Sequence, residues 1–259
     1  MGKVYASADW HGCGDLGMRV LNWLSADDKL IFIGDAIDRN PDGIKLFDAL
    51  YSDPRIIYLK GNHEDMMERV LIQTFDEEAW YRAYISDDIT STTWFMNGGE
   101  VTWKDLENKS EPELKGYINK IKNLKKEYVY NSPNGHTVIL EHAGYTPGLS
   151  NYNPLWNREH FQEYWQKGDK YSNIYMVHGH TPIQYLKYYY GYIDQKPFSK
   201  EEFAEQQSWI REEQTDAPPQ ILYYCNNRKV DIDMCTIVSN RIALLDLDTF
   251  EEIYFDKES

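Results

Sequence analysis

Cysteine is scarce in this chain: Cys13, Cys225 and Cys235, an odd number with no C-x-x-C spacing. That excludes a disulfide framework and a thiolate zinc site, and it fits a reducing compartment. No run approaches the roughly 18 consecutive apolar residues of a membrane span, so no bilayer crossing is expected. The start, Met1-Gly2-Lys3-Val4-Tyr5, enters a strand-like pattern without the apolar core of a signal peptide. A cytoplasmic location is the expectation. Positive charge is also short: Lys and Arg number 27 against 42 Asp and Glu, for a net charge of −15 and no basic tract. A nucleic-acid duplex needs a basic patch to neutralise its phosphates, so duplexes are excluded as general partners. The same charge repels anionic substrates at long range, so any anion site has to be local. Screening over roughly 8 Å at physiological salt makes such a site workable.

What is present is aromatic. Phe, Trp and Tyr make up 15% of 259 residues, with 21 Tyr. Tyrosine is amphipathic and suits half-buried positions with a wet hydroxyl; a recognition surface is the alternative. The length suits a single domain over 1–259. Strands are read at 3–8, 29–33, 55–59, 127–131, 136–141 and 173–178, with two or three more between Lys229 and Phe255. Leu16, Val20, Leu21 and Leu24 mark a helix after the first strand, Pro41 opens a second, and a third runs from about Glu64 to Thr74. This alternation predicts βαβ units and an α/β fold. Residues 76–126 read as helical, interrupted at Asn97-Gly98-Gly99 and Pro112, and Pro133-Asn134-Gly135 reads as a hairpin turn. A polar stretch at about 190–219 reads as a surface insertion, solvated or acting as a lid.

Five short clusters each follow an apolar run: Asp9-Trp10-His11, Gly34-Asp35-Ala36-Ile37-Asp38-Arg39, Gly61-Asn62-His63-Glu64, Glu141-His142-Ala143-Gly144 and His178-Gly179-His180-Thr181. Loops after the carboxyl ends of strands converge on one crevice in an open α/β sheet. Two cations about 3.5–4 Å apart are the usual device for in-line displacement at phosphorus, and these clusters supply oxygen and imidazole groups for such a pair. Strand alternation would point Asp9 and His11 to one face and Trp10 away. A carboxylate such as Asp35 can bridge two cations, and the glycine before it permits close approach. A mix of imidazoles, carboxylates and one amide suits Mn²⁺, Fe or Zn²⁺ better than Ca²⁺.

The order and content of these clusters resemble the calcineurin-like metallophosphoesterases, and more narrowly the phosphoprotein phosphatase family. Asp9-Trp10-His11-Gly12-Cys13, Trp94-Phe95-Met96-Asn97-Gly98-Gly99, Leu155-Trp156-Asn157-Arg158 and Gly179-His180-Thr181-Pro182 are similar to the bacteriophage lambda-type and bacterial serine/threonine phosphatases. The resemblance implies an α/β/β/α sandwich of two mixed sheets flanked by helices. It implies two divalent metal ions, Mn²⁺ first: one held by Asp9, His11 and Asp35, the other by Asp35, Asn62, His142 and His180. His63 would be the general acid, Asp38 its partner, and Arg39 and Arg158 the phosphate-binding arginines. The implied activity is hydrolysis of phosphate monoesters by metal-activated hydroxide, most closely that of a serine/threonine protein phosphatase on a phosphorylated protein or small phosphoester. Bacterial diadenosine tetraphosphatases share much of the motif set, so a nucleotide hydrolase is the alternative, with Trp156 or Tyr188-Tyr189-Tyr190 as stacking groups. A non-catalytic scaffold would be expected to have lost ligands or His63, and none is missing. His178 stands outside the ligand set, because Pro182 occupies the place of the second histidine in a Gly-His-x-His pattern. Two departures stand out. Ile232-Asp233-Met234-Cys235 replaces the family's Ile-Asp-Thr-Gly, and Trp10 replaces a smaller aliphatic residue. Cys235 reads as a packing residue, with a redox-sensitive thiol as the other reading.

Overall fold

Two five-stranded mixed sheets form the molecule in a computed structural model that describes residues 2–76, 78, 81, 89–146, 148, 153–161, 172–184 and 218–257. In the first sheet β1 (Val4–Ser7), β2 (Lys29–Phe32) and β3 (Ile56–Tyr58) run parallel, linked by helices α1 (Gly14–Trp23) and α2 (Gly43–Ser52). The last two strands, β9 (Arg241–Asp246) and β10 (Glu252–Asp256), complete it antiparallel, Tyr5 pairing with Asp246. The second sheet has the order β4 (Glu127–Asn131), β5 (Thr137–Glu141), β6 (Ile174–His178), β8 (Lys229–Asp231) and β7 (Leu222–Tyr224), with β5, β6 and β8 parallel.

Period-two alternation explains the layering. Tyr5, Leu30, Phe32 and Leu244 face the helices, while Ala6, Ile31, Ile33 and Leu245 face Val138, Leu140, Val177 and Val230 of the second sheet. Both faces of the first sheet are therefore buried, which is why its strands read as continuous apolar runs. Burying a side chain such as Phe32 contributes about 1.5–3 kcal/mol. The expected architecture, two mixed sheets flanked by helices, is the observed one.

Two details differ from the sequence reading and a third agrees with it. β7 follows Pro218-Pro219 and is too short to carry a readable alternation. Pro112 begins a helix and does not break one: Glu111–Lys122 starts behind Ser110, whose side chain and that of Glu113 cap each other's backbone. Asn97-Gly98-Gly99 does interrupt the helical middle, as a kink at Gly98 (φ 98°) between two helices. The polar stretch at 190–217 and Tyr188-Tyr189-Tyr190 lie outside the described residues. Among the described residues, no helix is long and apolar enough to cross a membrane.

Candidate active site

The carboxyl ends of β1, β2 and β3 in one sheet and of β5 and β6 in the other open onto a single cleft. All ten residues singled out from the sequence lie in or directly behind it. Strand alternation does not orient Asp9 and His11, however: β1 ends at Ser7, and both residues sit in a loop with left-handed backbone, φ 57° and 41°. That loop is zipped to the one after β2 by Asp9 N–H to Gly34 O (3.1 Å), His11 N–H to Asp35 O (3.0 Å) and Gly12 N–H to Ala36 O (2.8 Å). Trp10 does point away, as expected. It is fully buried, donates to Ser7 Oγ at 2.8 Å and packs edge-on against Phe32.

Asp35, Asp38, Arg39 and His180 also have positive φ, 62°, 72°, 69° and 69°. Non-glycine residues rarely hold this conformation, and a cluster of them marks a site whose surroundings over-determine the backbone. Before Asp35, Gly34 (φ +93°) lies so near Gly61 N that an added Cβ would sit 2.5 Å from it. The glycine therefore serves the junction of two loops.

Asp35 Oδ2 is the centre of the arrangement. His142 Nε2 lies 3.4 Å from it, and His11 Nε2 and His63 Nε2 each 3.8 Å. Burial alone would push the Asp35 carboxyl up, but His142, His63 and His11 outweigh it and hold the group well below the usual carboxylate range. Burial pushes the Asp9 carboxyl up, and Asp233 and Asp35 add to it. Among the described residues Asp9 Oδ1 is buried without a hydrogen-bond partner. His11 Nδ1 meets Ile37 O at 3.0 Å and His142 Nδ1 meets Ile33 O at 2.7 Å, which turns each Nε2 towards the carboxylates. A carbonyl on one ring nitrogen is the usual way to orient a metal-binding imidazole. Asn62 Oδ1 faces His142 Nε2 at 2.8 Å and His180 Nδ1 at 2.9 Å. Donor atoms of Asp9, Asp35 and His142, and of His11, Asp35 and His63, fall within 4.8 Å of one another, so Asp35 belongs to both groups. An orphaned buried carboxylate oxygen, oriented imidazoles and a shared aspartate fit a pair of divalent cations.

His63 is in reach of the same cluster but is held differently. Its Nδ1–H donates to Asp38 Oδ2 at 2.6 Å, and Arg39 Nη2 lies 3.3 Å from its Nε2. Burial lowers the His63 pKa, but the Asp35 and Asp38 carboxylates outweigh it and the net direction is upward. Arg158 reaches the other side of the cleft, with Nε donating to Thr181 Oγ1 at 3.2 Å. The cleft has a volume of about 820 Å³, with Asp35, Asn62, His63 and His180 at its base and Arg39 and Arg158 on its walls.

Glu64 and Trp94 emerge only from the structure. The fully buried Glu64 carboxylate accepts from Asp35 N–H, Gly61 N–H and Ala36 N–H, each at 2.9 Å, and from the Tyr58 hydroxyl at 2.8 Å. Its place at the third position of α3 (Asn62–Phe75), where a glutamate caps the helix start, was the one available signal. His178 lies in β6 behind the site. Its Nε2 faces Tyr224 Oη at 2.8 Å, and burial pushes it down to about 3. Cys235 takes the left-handed conformation that a glycine would supply (φ 49°, ψ 54°), held by its N–H donating to Asp233 Oδ1 at 2.8 Å. Burial pushes its thiol up to about 12, which accords with packing and not with a reactive thiolate.

Residues 2–227 match the calcineurin-like phosphoesterases. Serine/threonine-protein phosphatase 1 of Salmonella typhimurium (strain LT2) is 33% identical over 100 residues, 38% of this chain and 39% of that protein, so the alignment spans well under half of the relative. Among solved structures, a provisionally assigned diadenosine tetraphosphatase superposes with a TM-score of 0.54 at 13% identity, covering 100% of this chain and 95% of that one. A mutant of a cold-active protein tyrosine phosphatase gives 0.52 at 14% identity, covering 98% and 77%. At such identities the superpositions show a shared fold.

Proposed function

The chain belongs to the calcineurin-like phosphoesterase family, and from that premise we propose that it is a protein phosphatase that hydrolyses phosphoserine and phosphothreonine monoesters at a two-cation centre. One observation carries the reading: Asp35 Oδ2 is ringed by the imidazoles of His142, His11 and His63, the last of them paired with Asp38, and two arginines share the same open cleft. Asp9, His11 and Asp35 would hold one cation, and Asp35, Asn62, His142 and His180 the other, with Mn²⁺ the first choice. When bound, such a pair polarises the phosphoryl group and acidifies the attacking water.

The chain's own side chains do the rest. Arg39 and Arg158 bind the non-bridging phosphate oxygens, a planar guanidinium being able to engage two at once. Arg39 now lies against His63 Nε2; a phosphate would draw its fork into the cleft and leave Nε2 facing the ester. His63 then delivers its proton to the departing serine or threonine oxygen, an alkoxide that leaves poorly without one. Asp38 holds the ring through Nδ1 and favours its charged form. The cleft's volume and open mouth suit a peptide, and the matched stretch of the Salmonella relative accords with this substrate class.

A dinucleotide polyphosphate hydrolase is the second reading. The observation favouring it is Trp156, 38% exposed at the rim and set edge-on to His180, a ring on which a base could stack. Turnover by Mn²⁺-loaded protein, comparing a phosphothreonine peptide with diadenosine tetraphosphate, decides between them. Preference for the peptide supports the proposal, preference for the dinucleotide replaces it with the second reading, and turnover of neither removes both.

A further inference from the structure

Asp38 and Arg39 are consecutive non-glycine residues in left-handed backbone, so something outside their own loop has to hold them there. The segment 94–102, more than fifty residues further along, does so. Asp38 N–H donates to Thr102 Oγ1 at 2.9 Å, Arg39 N–H to Gly98 O at 3.1 Å, and Arg39 Nε to Asn97 O at 3.4 Å. Gly98 (φ +98°) presses so close that an added Cβ would sit 2.7 Å from Arg39 Cγ. The kink at Gly98 thus lies where the helical middle meets the Asp38–Arg39 loop.

One contact in this set reaches the reacting groups through a single atom. Trp94 is fully buried, and its indole N–H donates to Asp38 Oδ2 at 2.8 Å. The same oxygen accepts the 2.6 Å bond from His63 Nδ1, while among the described residues Asp38 Oδ1 is buried with no hydrogen-bond partner. Two donors on one oxygen fix the twist of the carboxylate about its Cβ–Cγ bond. Remove one and the two oxygens become interchangeable, so the His63 ring can follow whichever is presented.

We propose that Trp94 is a positioning residue for proton delivery: its indole N–H pins the Asp38 carboxylate, and through it keeps His63 Nε2 aimed at the leaving oxygen. This rests on the phosphomonoesterase reading with His63 as general acid. It assigns a role to an indole that never touches substrate.

The test deletes the N–H and keeps the ring, with Trp94→Phe in Mn²⁺-loaded full-length protein. Proton delivery matters most for poor leaving groups, so kcat for phenyl phosphate should fall about 10-fold with KM unchanged, while kcat for p-nitrophenyl phosphate stays within about 2-fold. The double variant Trp94→Phe/His63→Asn should be no slower on phenyl phosphate than His63→Asn alone. Trp103→Phe is the packing control: Trp103 stacks edge-on with Trp94 at 6.4 Å, and its loss should leave the leaving-group dependence unchanged. An equal loss on both esters, additivity with His63→Asn, or no effect at all would overturn the role. A second readout needs no turnover. In Zn²⁺-loaded protein, which is diamagnetic, the downfield proton resonance of His63 Nδ1–H should shift or broaden in Trp94→Phe and persist in Trp103→Phe, and an unmoved resonance would overturn the proposal. Should Trp94→Phe fail to fold, benzothienylalanine at position 94 removes the N–H at nearly constant volume. Should wild-type protein turn over neither ester, the phosphomonoesterase reading falls, and the resonance comparison alone decides whether Trp94 holds the pair.

Discussion

Replacing Glu64 with glutamine changes one atom and separates two descriptions of this buried group. Three of its four partners are backbone N–H groups, which cannot accept, so they favour the ionised carboxylate against the upward push of burial and of Asp35. Glutamine must aim its NH₂ somewhere. Placed at the Oε2 position it would oppose both Asp35 N–H and Gly61 N–H; placed at Oε1 it opposes Ala36 N–H, and the Tyr58 hydroxyl can rotate to accept. The second arrangement is the cheaper. It leaves one buried donor unsatisfied, costing about 1–3 kcal/mol, and weakens two charge-assisted bonds by roughly half. The sum is about 2–4 kcal/mol, which at about 2–4 °C per kcal/mol for a domain of this size lowers Tm by roughly 5–15 °C. Because the lost Ala36 bond and the two weakened ones tie the loops carrying Asp35 and Asn62, Mn²⁺ affinity should fall about 10-fold or more. Scanning calorimetry and a metal titration of Glu64→Gln check both. A Tm within about 2 °C of wild type, with unchanged Mn²⁺ affinity, would refute the account of Glu64 as an ionised tie.

Asp35→Asn should impair metal binding and activity together, because one neutral amide replaces the oxygen shared by both donor groups; full metal content with full activity would remove the bridging assignment. Cys235→Gly should shift stability by no more than about 1 kcal/mol, since relief of left-handed strain is offset by the entropy of glycine; a thermal melt decides. Away from the cleft, Asp246 has its burial penalty outweighed by the N–H groups of Asp248 and Thr249 and by Lys3 Nζ at 3.1 Å, so its folded pKa is depressed. Its contribution is therefore present above the unfolded value of about 3.9 and is lost as pH falls through the folded one. Asp246→Asn should flatten that part of the acid limb in a Tm-against-pH series, and an unchanged slope below pH about 4 would contradict it.

Local patterning carried the strands and helices because alternation and helical spacing are written within a few residues of one another. That the candidate donors lie together was legible too, since each follows an apolar run that becomes, or borders, a strand. Asp9 and His11 lie beyond what alternation can orient: strand periodicity ends at Ser7, and a zipped loop with positive φ orients both side chains. Nothing local marks that geometry in a non-glycine residue. Glu64 and Trp94 escaped for another reason. A buried carboxylate gathering donors from two loops, and an indole meeting a carboxylate 56 positions away, are products of packing. Tyr5 pairing with Asp246 shows the same limit at the scale of the sheet.

The candidate donors come from both sides of the sandwich: Asp9, His11, Asp35 and Asn62 extend from the first sheet, His142 and His180 from the second. Hydrogen bonds join the halves there, His180 N–H to Asp9 Oδ2 at 3.1 Å and His142 Nδ1 to Ile33 O at 2.7 Å among them. By mass action, a species that engages donors from both halves and binds only the folded chain contributes about 2.7 kcal/mol when present at a hundred times its dissociation constant. The cleft is thus also a rivet point, where occupancy and cohesion of the two sheets are one equilibrium. Were the donors to hold cations, chelation would act on the whole sandwich, loosening the seam between sheets that apolar burial and these hydrogen bonds would then have to keep closed.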